Sequence, residues 1–222
     1  VGTSRPDLSF QMINLSTNFK GGKVAALKQA HSVMKQLKKK PAYIRFSNLH
    51  TFKDCELWCY SDAAHRNLNN NTDSAGGYIL FIVNTKNGKC APLEWRSNKI
   101  KRKVPSTLGA EMLSLVTALD AAIGTRDQLC EITGGKVNLK IKAITDNKSA
   151  RDTIYSEKAL DQKRLRAEIA SIKESIEEGT IEEVRWVAGQ NMLADVLTKQ
   201  GVKSQNLLSV LQEGKIGQNI LE

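Results

Sequence analysis

Four acidic residues, Asp62, Glu111, Asp146 and Asp195, stand where a carboxylate is either costly or placed at the end of an element. Asp62 closes an alternating run in Tyr60-Ser61-Asp62-Ala63, and Asp146 closes another in Ile144-Thr145-Asp146-Asn147. Ligands of open α/β sheets collect beyond the C-terminal ends of strands. Glu111 falls on an apolar stripe of Leu108, Met112, Leu115 and Leu119, where a charge needs a partner. Asp195 lies in the first turn or so of a helix expected to be capped by Asn191, where the dipole alone favours an acid. Singly, each has an ordinary explanation: an Arg or Lys partner for Glu111, the helix dipole for Asp195. Together they are a set of hard oxygen donors of the kind Mg²⁺ takes. Two such ions about 3.5–4 Å apart activate a water and stabilise a leaving oxyanion in phosphodiester hydrolysis. Acids crowded without a cation would raise one another's pKa.

The elements that must position these acids follow from the apolar periodicity. Glu56–Tyr60 alternates, Gly77–Val83 is a strong β run, and Asn84-Thr85-Lys86-Asn87-Gly88 carries the Asn-Gly hairpin signal. Lys89–Trp95 follows, with Pro92 marking an edge or a bulge. A helix is expected over 106–123, a strand over 137–145, a helix from Asn147 and a longer one from Asp161 to Glu178. The last strand, 181–187, leads through Ala188-Gly189-Gln190 to the final helix. Three antiparallel strands followed by two parallel ones predict an α/β domain, a mixed five-stranded sheet flanked by helices. The strands ending at Asp62 and Asp146 would then be parallel neighbours.

Residues 1–50 read as an N-terminal helical appendage. Val24, Leu27, Ala30, Val33, Met34 and Leu37 recur at helical spacing, and Lys38-Lys39-Lys40-Pro41 ends the helix. The segment holds too little apolar material to fold alone and should pack on a neighbour. The domain proper is expected over 51–203, with 204–222 as a tail. The start, Val1-Gly2-Thr3-Ser4-Arg5-Pro6, reads as a fragment of something longer.

Thirty-three Lys and Arg against 23 Asp and Glu give a formal charge of +10, which favours a polyanionic partner. One basic cluster, Lys20, Lys23, Lys28, His31, Lys35 and Lys38-Lys39-Lys40, belongs to the appendage, where a solvated face explains it equally well. A second, Lys99, Lys101, Arg102 and Lys103, lies in a loop before the Glu111 helix and is a candidate nucleic-acid contact. Cys55 and Cys59 share a strand face about 13 Å apart, too far for a disulfide or a shared metal. Cys55, Cys59, Cys90 and Cys130 therefore read as reduced core residues, and His31, His50 and His65 form no zinc pattern. No run approaches the ~18 uninterrupted apolar residues of a membrane span.

At the acids, the chain resembles the ribonuclease H of copia-type LTR retrotransposons. The matching strings are Tyr60-Ser61-Asp62-Ala63, Gly76-Gly77-Tyr78, Trp95-Arg96-Ser97-Asn98-Lys99, Ser106-Thr107-Leu108-Gly109-Ala110-Glu111, Asp146-Asn147-Lys148-Ser149-Ala150 and Leu193-Ala194-Asp195-Val196-Leu197-Thr198-Lys199. Lys163-Arg164-Leu165-Arg166 resembles invertebrate members of the group, and Arg5-Pro6-Asp7-Leu8 resembles the segment just after a polymerase catalytic core. Each string is weak, but six in order span nearly the whole chain. The resemblance implies a ribonuclease H-like fold that uses two Mg²⁺ (or Mn²⁺) ions at Asp62, Glu111, Asp146 and Asp195 to cut the RNA strand of RNA–DNA hybrids. It further implies an upstream reverse transcriptase in the same Pol polyprotein, represented by residues 1–50. An intracellular site follows, in a cytoplasmic virus-like particle or the nucleus, with neither membrane nor small-molecule cofactor. Thr107 and Asn147, beside two of the acids, would read ribose 2′-hydroxyls.

Two features depart from that pattern. Where the family commonly has a second acid soon after the first aspartate, this chain has Ala64 and His65. The loop Val187-Ala188-Gly189-Gln190-Asn191 lacks the histidine of cellular relatives, which bears on product release and leaves the metal set intact. No Tyr-x-Asp-Asp polymerase motif is present. An integrase or transposase core would carry its last acid as a helical glutamate, which the order Asp62, Glu111, Asp146 argues against. The other reading is a catalytically silent connection domain that only grips the hybrid, and metal dependence separates the two.

Overall fold

The computed structural model describes residues 4–18, 24–39, 41–68, 71–157 and 165–217. Lys20, Gly21-Gly22, Lys23 and Lys40 of the first basic cluster lie outside the described residues, as do Asn69-Asn70, Lys163-Arg164 and the expected helix start at Asp161.

Five strands form one sheet: β1 (Cys55–Leu68), β2 (Asp73–Asn84), β3 (Cys90–Lys99), β4 (Lys140–Thr145) and β5 (Ile181–Trp186), in the order β3-β2-β1-β4-β5. β2 runs antiparallel to β1 and β3, whereas β4 runs parallel to β1 and β5. This is the mixed five-stranded sheet that the sequence predicts, three antiparallel strands and then two parallel. Helices α3 (Thr107–Ile132), α4 (Lys148–Tyr155), α5 (Arg166–Glu177) and α6 (Gln205–Glu213) surround it, and α1 (Ser9–Asn18) and α2 (Val24–Lys39) precede it. Pro92 marks both of the features it suggests. It sits on the edge strand, and the β2–β3 register slips between Leu80 and Phe81, whose partners are Glu94 and Pro92.

As the central strand, β1 buries both faces. Leu57 and Cys59 enter a core with Met112, Leu115 and Leu119 of α3 and Ile169 and Ile172 of α5. Trp58 and Tyr60 enter a second core with Leu193, Leu197, Leu207 and Leu211. Full burial of one such side chain contributes roughly 1.5–3 kcal/mol, so the two layers hold the sheet from both sides. α3 is long and apolar enough to meet the length and composition of a membrane span. Its face of Met112, Leu115, Ala118, Leu119 and Ala122 is buried in the first core instead. Ser106 caps it by accepting from the Gly109 N–H at 3.1 Å.

Several elements differ from the sequence reading. β1 does not end at Asp62; it stays paired with β2 to Ala64 and, past a break in register, at Leu68, and only its parallel pairing with β4 stops, at Tyr60–Ile144. The expected final helix is a pair of 3-10 turns, Gly189–Asn191 and Leu193–Leu197, separated by an extended Met192 (φ −79°, ψ 103°), and Asn191 caps no α-helix. The reason is burial: Leu193, Ala194, Val196 and Leu197 are all inside, whereas a surface α-helix would bury one stripe. Cys55, Cys59 and Cys90 are buried free thiols, but Cys130 is half-buried near the end of α3, outside the core.

Of the N-terminal helices, α1 packs on the domain and α2 packs on α1. Leu8 and Leu15 meet Val33 of α2, and Phe10 packs with Leu68 and Ala75. α2 leaves Val24, Leu27 and Met34 exposed. At the other end α6 buries Leu207, Val210 and Leu211, and its Leu211 carbonyl accepts from the Arg45 N–H at 2.8 Å.

Candidate active site: a carboxylate cluster with a half-buried lysine

Asp62 lies two residues beyond the last β1–β4 parallel pair, and Asp146 is the first residue after β4. Parallel neighbours thus deliver both acids to one end of the sheet. Asp195 arrives from the 3-10 turn 193–197, laid across β2. One ligand oxygen from each of Asp62, Asp146 and Asp195 lies within 4.8 Å of the other two. Glu111 stands beside this triad. It is buried on α3, accepts a hydrogen bond from the Asn147 side chain, and feels the charges of Asp62 and Asp146. Among the described residues no Arg or Lys is ion-paired with Glu111.

The three aspartates are held from behind. Ser114 on α3 donates to the Asp62 carbonyl at 2.8 Å and accepts from the Ser61 hydroxyl at 3.2 Å. The Trp186 indole N–H donates to the Asp146 carbonyl at 2.8 Å. Asp195 accepts through its carbonyl from the N–H groups of Thr198 and Lys199, at 3.2 and 3.0 Å. Ser97 and Asn67 pin the same segment by donating to the Leu197 and Thr198 carbonyls at 2.6 and 2.5 Å.

Two residues given no role from sequence reach the centre. The Thr198 hydroxyl donates to Asp62 Oδ2. Lys199 Nζ donates to Asp62 Oδ1 at 3.1 Å and to Asp195 Oδ1 at 2.6 Å. Both belong to the string ending Leu197-Thr198-Lys199, and its i, i+4 spacing from Asp195 is the one signal that pointed to Lys199.

Burial dominates the electrostatics. It pushes the Asp62 carboxyl up to about 6, against the opposing pull of Lys199 and the Thr198 hydrogen bond. Glu111 is pushed up to about 9 by burial and then by the charges of Asp62 and Asp146. Asp146 is raised by burial too, with Lys199 opposing. Burial pulls the Lys199 ammonium down, but Asp62 and Asp195 outweigh it and the net shift is upward. The donor set fits a divalent cation: every candidate ligand is a hard oxygen, and the Lys199 ammonium already holds a positive charge between two of them.

Of the remaining expected residues, Asn147 reaches an acid of the cluster. Thr107 is exposed in the first turn of α3. Asn147 caps α4, its Oδ1 accepting from the Ala150 N–H at 2.9 Å, while its amide serves Glu111. Lys99 pairs with Asp73 at 2.6 Å, and Arg102 pairs with Glu168. With Lys101, Lys103 and Arg66 they line a cavity of about 570 Å³.

No family model matches the chain, and no curated protein matches it. Solved structures that resemble it include LC11 ribonuclease H1, isolated from compost by a metagenomic approach, at 17% identity and a TM-score of 0.47, covering 64% of this chain and 92% of its own. Ribonuclease H1 from the halophilic archaeon Halobacterium salinarum NRC-1 gives 16% identity and a TM-score of 0.45 over 64% and 94% of the two chains. The LC11 enzyme in complex with an RNA/DNA hybrid gives 16% identity and a TM-score of 0.44 over the same shares, 64% and 94%.

Proposed function

We propose that this chain is the ribonuclease H domain of a copia-type LTR retrotransposon Pol polyprotein, preceded by the C-terminal end of its reverse transcriptase. It cuts the RNA strand of RNA–DNA hybrids during reverse transcription. The observation that carries the reading is the convergence of Asp62, Asp146 and Asp195, from three separate elements, to within 4.8 Å at one end of the sheet. Asp62, Asp146 and Asp195 would hold two Mg²⁺ or Mn²⁺ ions, with Glu111 completing the set from α3. When bound, such ions supply an activated water and charge for the leaving oxygen.

The chain's own residues supply position. Ser114 and Trp186 fix the backbone behind Asp62 and Asp146, and the 3-10 turn holds Asp195 against β2. Lys99, Lys101, Arg102 and Lys103, which line one cavity, offer cations to the hybrid's phosphates. Thr107 and Asn147 stand near Glu111 and Asp146, where a ribose 2′-hydroxyl would distinguish RNA from DNA.

The test is cleavage of an end-labelled RNA–DNA hybrid in Mg²⁺ and in Mn²⁺, with Asp146→Asn as control. Metal-dependent cutting of the RNA strand, lost in the control, is the expected result. Salt-sensitive hybrid binding without cutting would overturn the nuclease and leave a domain that only grips its substrate.

A further inference from the structure

The cluster holds its own cation, and this has a consequence for metal entry. Asp62 is fully buried, and both of its oxygens are taken: Oδ2 by the Thr198 hydroxyl and Oδ1 by Lys199 Nζ at 3.1 Å. The same Nζ takes Asp195 Oδ1 at 2.6 Å. The two oxygens that Lys199 occupies belong to two of the three acids that converge. An ammonium bonded to both oxygens repels a divalent ion brought between the same acids, and it takes from each oxygen a lone pair that the metal would use. We propose that Lys199 is an internal counter-ion of the carboxylate cluster, and that a divalent metal enters by displacing its ammonium from Asp62 and Asp195. This rests on the metal-site reading above and adds a control on it.

The two ligands of Asp62 differ in how readily they leave. Thr198 is fully buried and its backbone is pinned by Asn67 and Asp195. The Lys199 side chain is 37% exposed, so its flexible four-carbon stem can carry the ammonium out to water. Lys199 therefore serves two states. Without metal it compensates charge that would otherwise be stranded beside a fully buried carboxylate, which is strongly destabilising. With metal it must be elsewhere, and the apparent affinity falls by the fraction of time the site is open. A lysine seated about nine times in ten weakens apparent metal binding about tenfold.

The experiment is calorimetric titration of the whole chain with Mn²⁺, as wild type, Lys199→Gln and Lys199→Arg, with melting curves in EDTA. Lys199→Gln should bind Mn²⁺ about tenfold more tightly while melting at a lower temperature without metal. Lys199→Arg keeps the charge and should stay near wild type in both. A second measurement needs no variant: amine labelling of the wild-type chain, read by peptide mass spectrometry, should increase at Lys199 when Mn²⁺ is added. Equal or weaker Mn²⁺ binding by Lys199→Gln, or labelling that Mn²⁺ leaves unchanged or reduces, overturns the exchange while the metal site stands. Absence of Mn²⁺ binding in all three chains overturns both the metal site and the exchange.

Discussion

Gly77 faces Asp62 across the β1–β2 ladder, and a Cβ on Gly77 would stand 2.7 Å from the Leu197 Cβ and 3.0 Å from the Thr198 methyl. The absence of a side chain at 77 is what lets the 193–197 turn lie on the sheet and carry Asp195 and Thr198 to Asp62. Backbone and buried methylene neighbours cannot yield as the end of a flexible chain can. Gly77→Ala is therefore expected to destabilise the fold by about 1–3 kcal/mol, the usual range for overpacking. It should weaken Mn²⁺ binding at the same time, because the segment that moves is the one bearing Asp195. Urea denaturation and calorimetry read the two effects, and wild-type values in both would remove this account of the turn.

The metal-free protein should lose stability as pH rises. In the unfolded chain Asp and Glu give up their protons near pH 4. In the fold, Asp62 holds its proton to about 6 and Glu111 to about 9. Between those limits the folded state binds more protons than the unfolded one, so the free energy of unfolding falls with increasing pH. Melting in EDTA is expected to be several degrees lower at pH 8 than at pH 5. Glu111→Gln, which mimics the protonated acid, should flatten the upper part of that decline. A melting temperature that climbs from pH 5 to pH 8 would show that the buried acids are ionised throughout.

The sheet was legible in the sequence because each strand carries its own pattern. The run 77–83 is apolar throughout, as a strand buried on both faces must be, and Pro92 marked an edge by its missing N–H. Asp62 and Asp146 could be placed near one another because parallel neighbours end on the same side. The end of β1 was not legible: Asp62 to Ala64 and Leu68 pair only with β2, and a partner's length does not show in a strand's own alternation. Nor was the 3-10 conformation of 193–197, since Asn191 followed by apolar residues reads as a capped helix. What changes it is burial on every side, a property of the assembled fold. Lys199 went unread for the same reason, because its partner Asp62 is 137 residues away.

The C-terminal helix is also a tertiary feature. Residues 204–222 read as a tail, yet Leu207 and Leu211 are nearly inaccessible in the core that holds Trp58 and Tyr60. That core also contains Leu193, Val196 and Leu197, so α6 supports the turn bearing Asp195. Leu211→Ala is expected to cost about 2–5 kcal/mol, as for a buried leucine in a packed core. Equilibrium denaturation measures it, and a loss within a few tenths of a kcal/mol would mean that α6 is dispensable to the domain.

The basic loop offers a test that leaves the carboxylates untouched. Its cations are not equivalent: Lys99 and Arg102 are paired with Asp73 and Glu168, whereas Lys101 and Lys103 are exposed and carry no ion pair among the described residues. A lysine already bonded to an acid releases less counterion on meeting a phosphate than one that is solvated. Lys101 and Lys103 should thus carry more of the salt dependence of hybrid binding. Each phosphate contact contributes about 0.9 to the slope of log K against log salt on a B-form duplex, so removing both lowers it by about 2. Lys101→Ala with Lys103→Ala should therefore weaken binding at low salt, flatten the slope, and leave the Mn²⁺ affinity of the cluster at its wild-type value. Lys99→Ala should change the slope less, because Asp73 loses its partner at the same time. If the double variant keeps the wild-type slope, the hybrid does not cross this loop, and its phosphates are met by other cations of the chain.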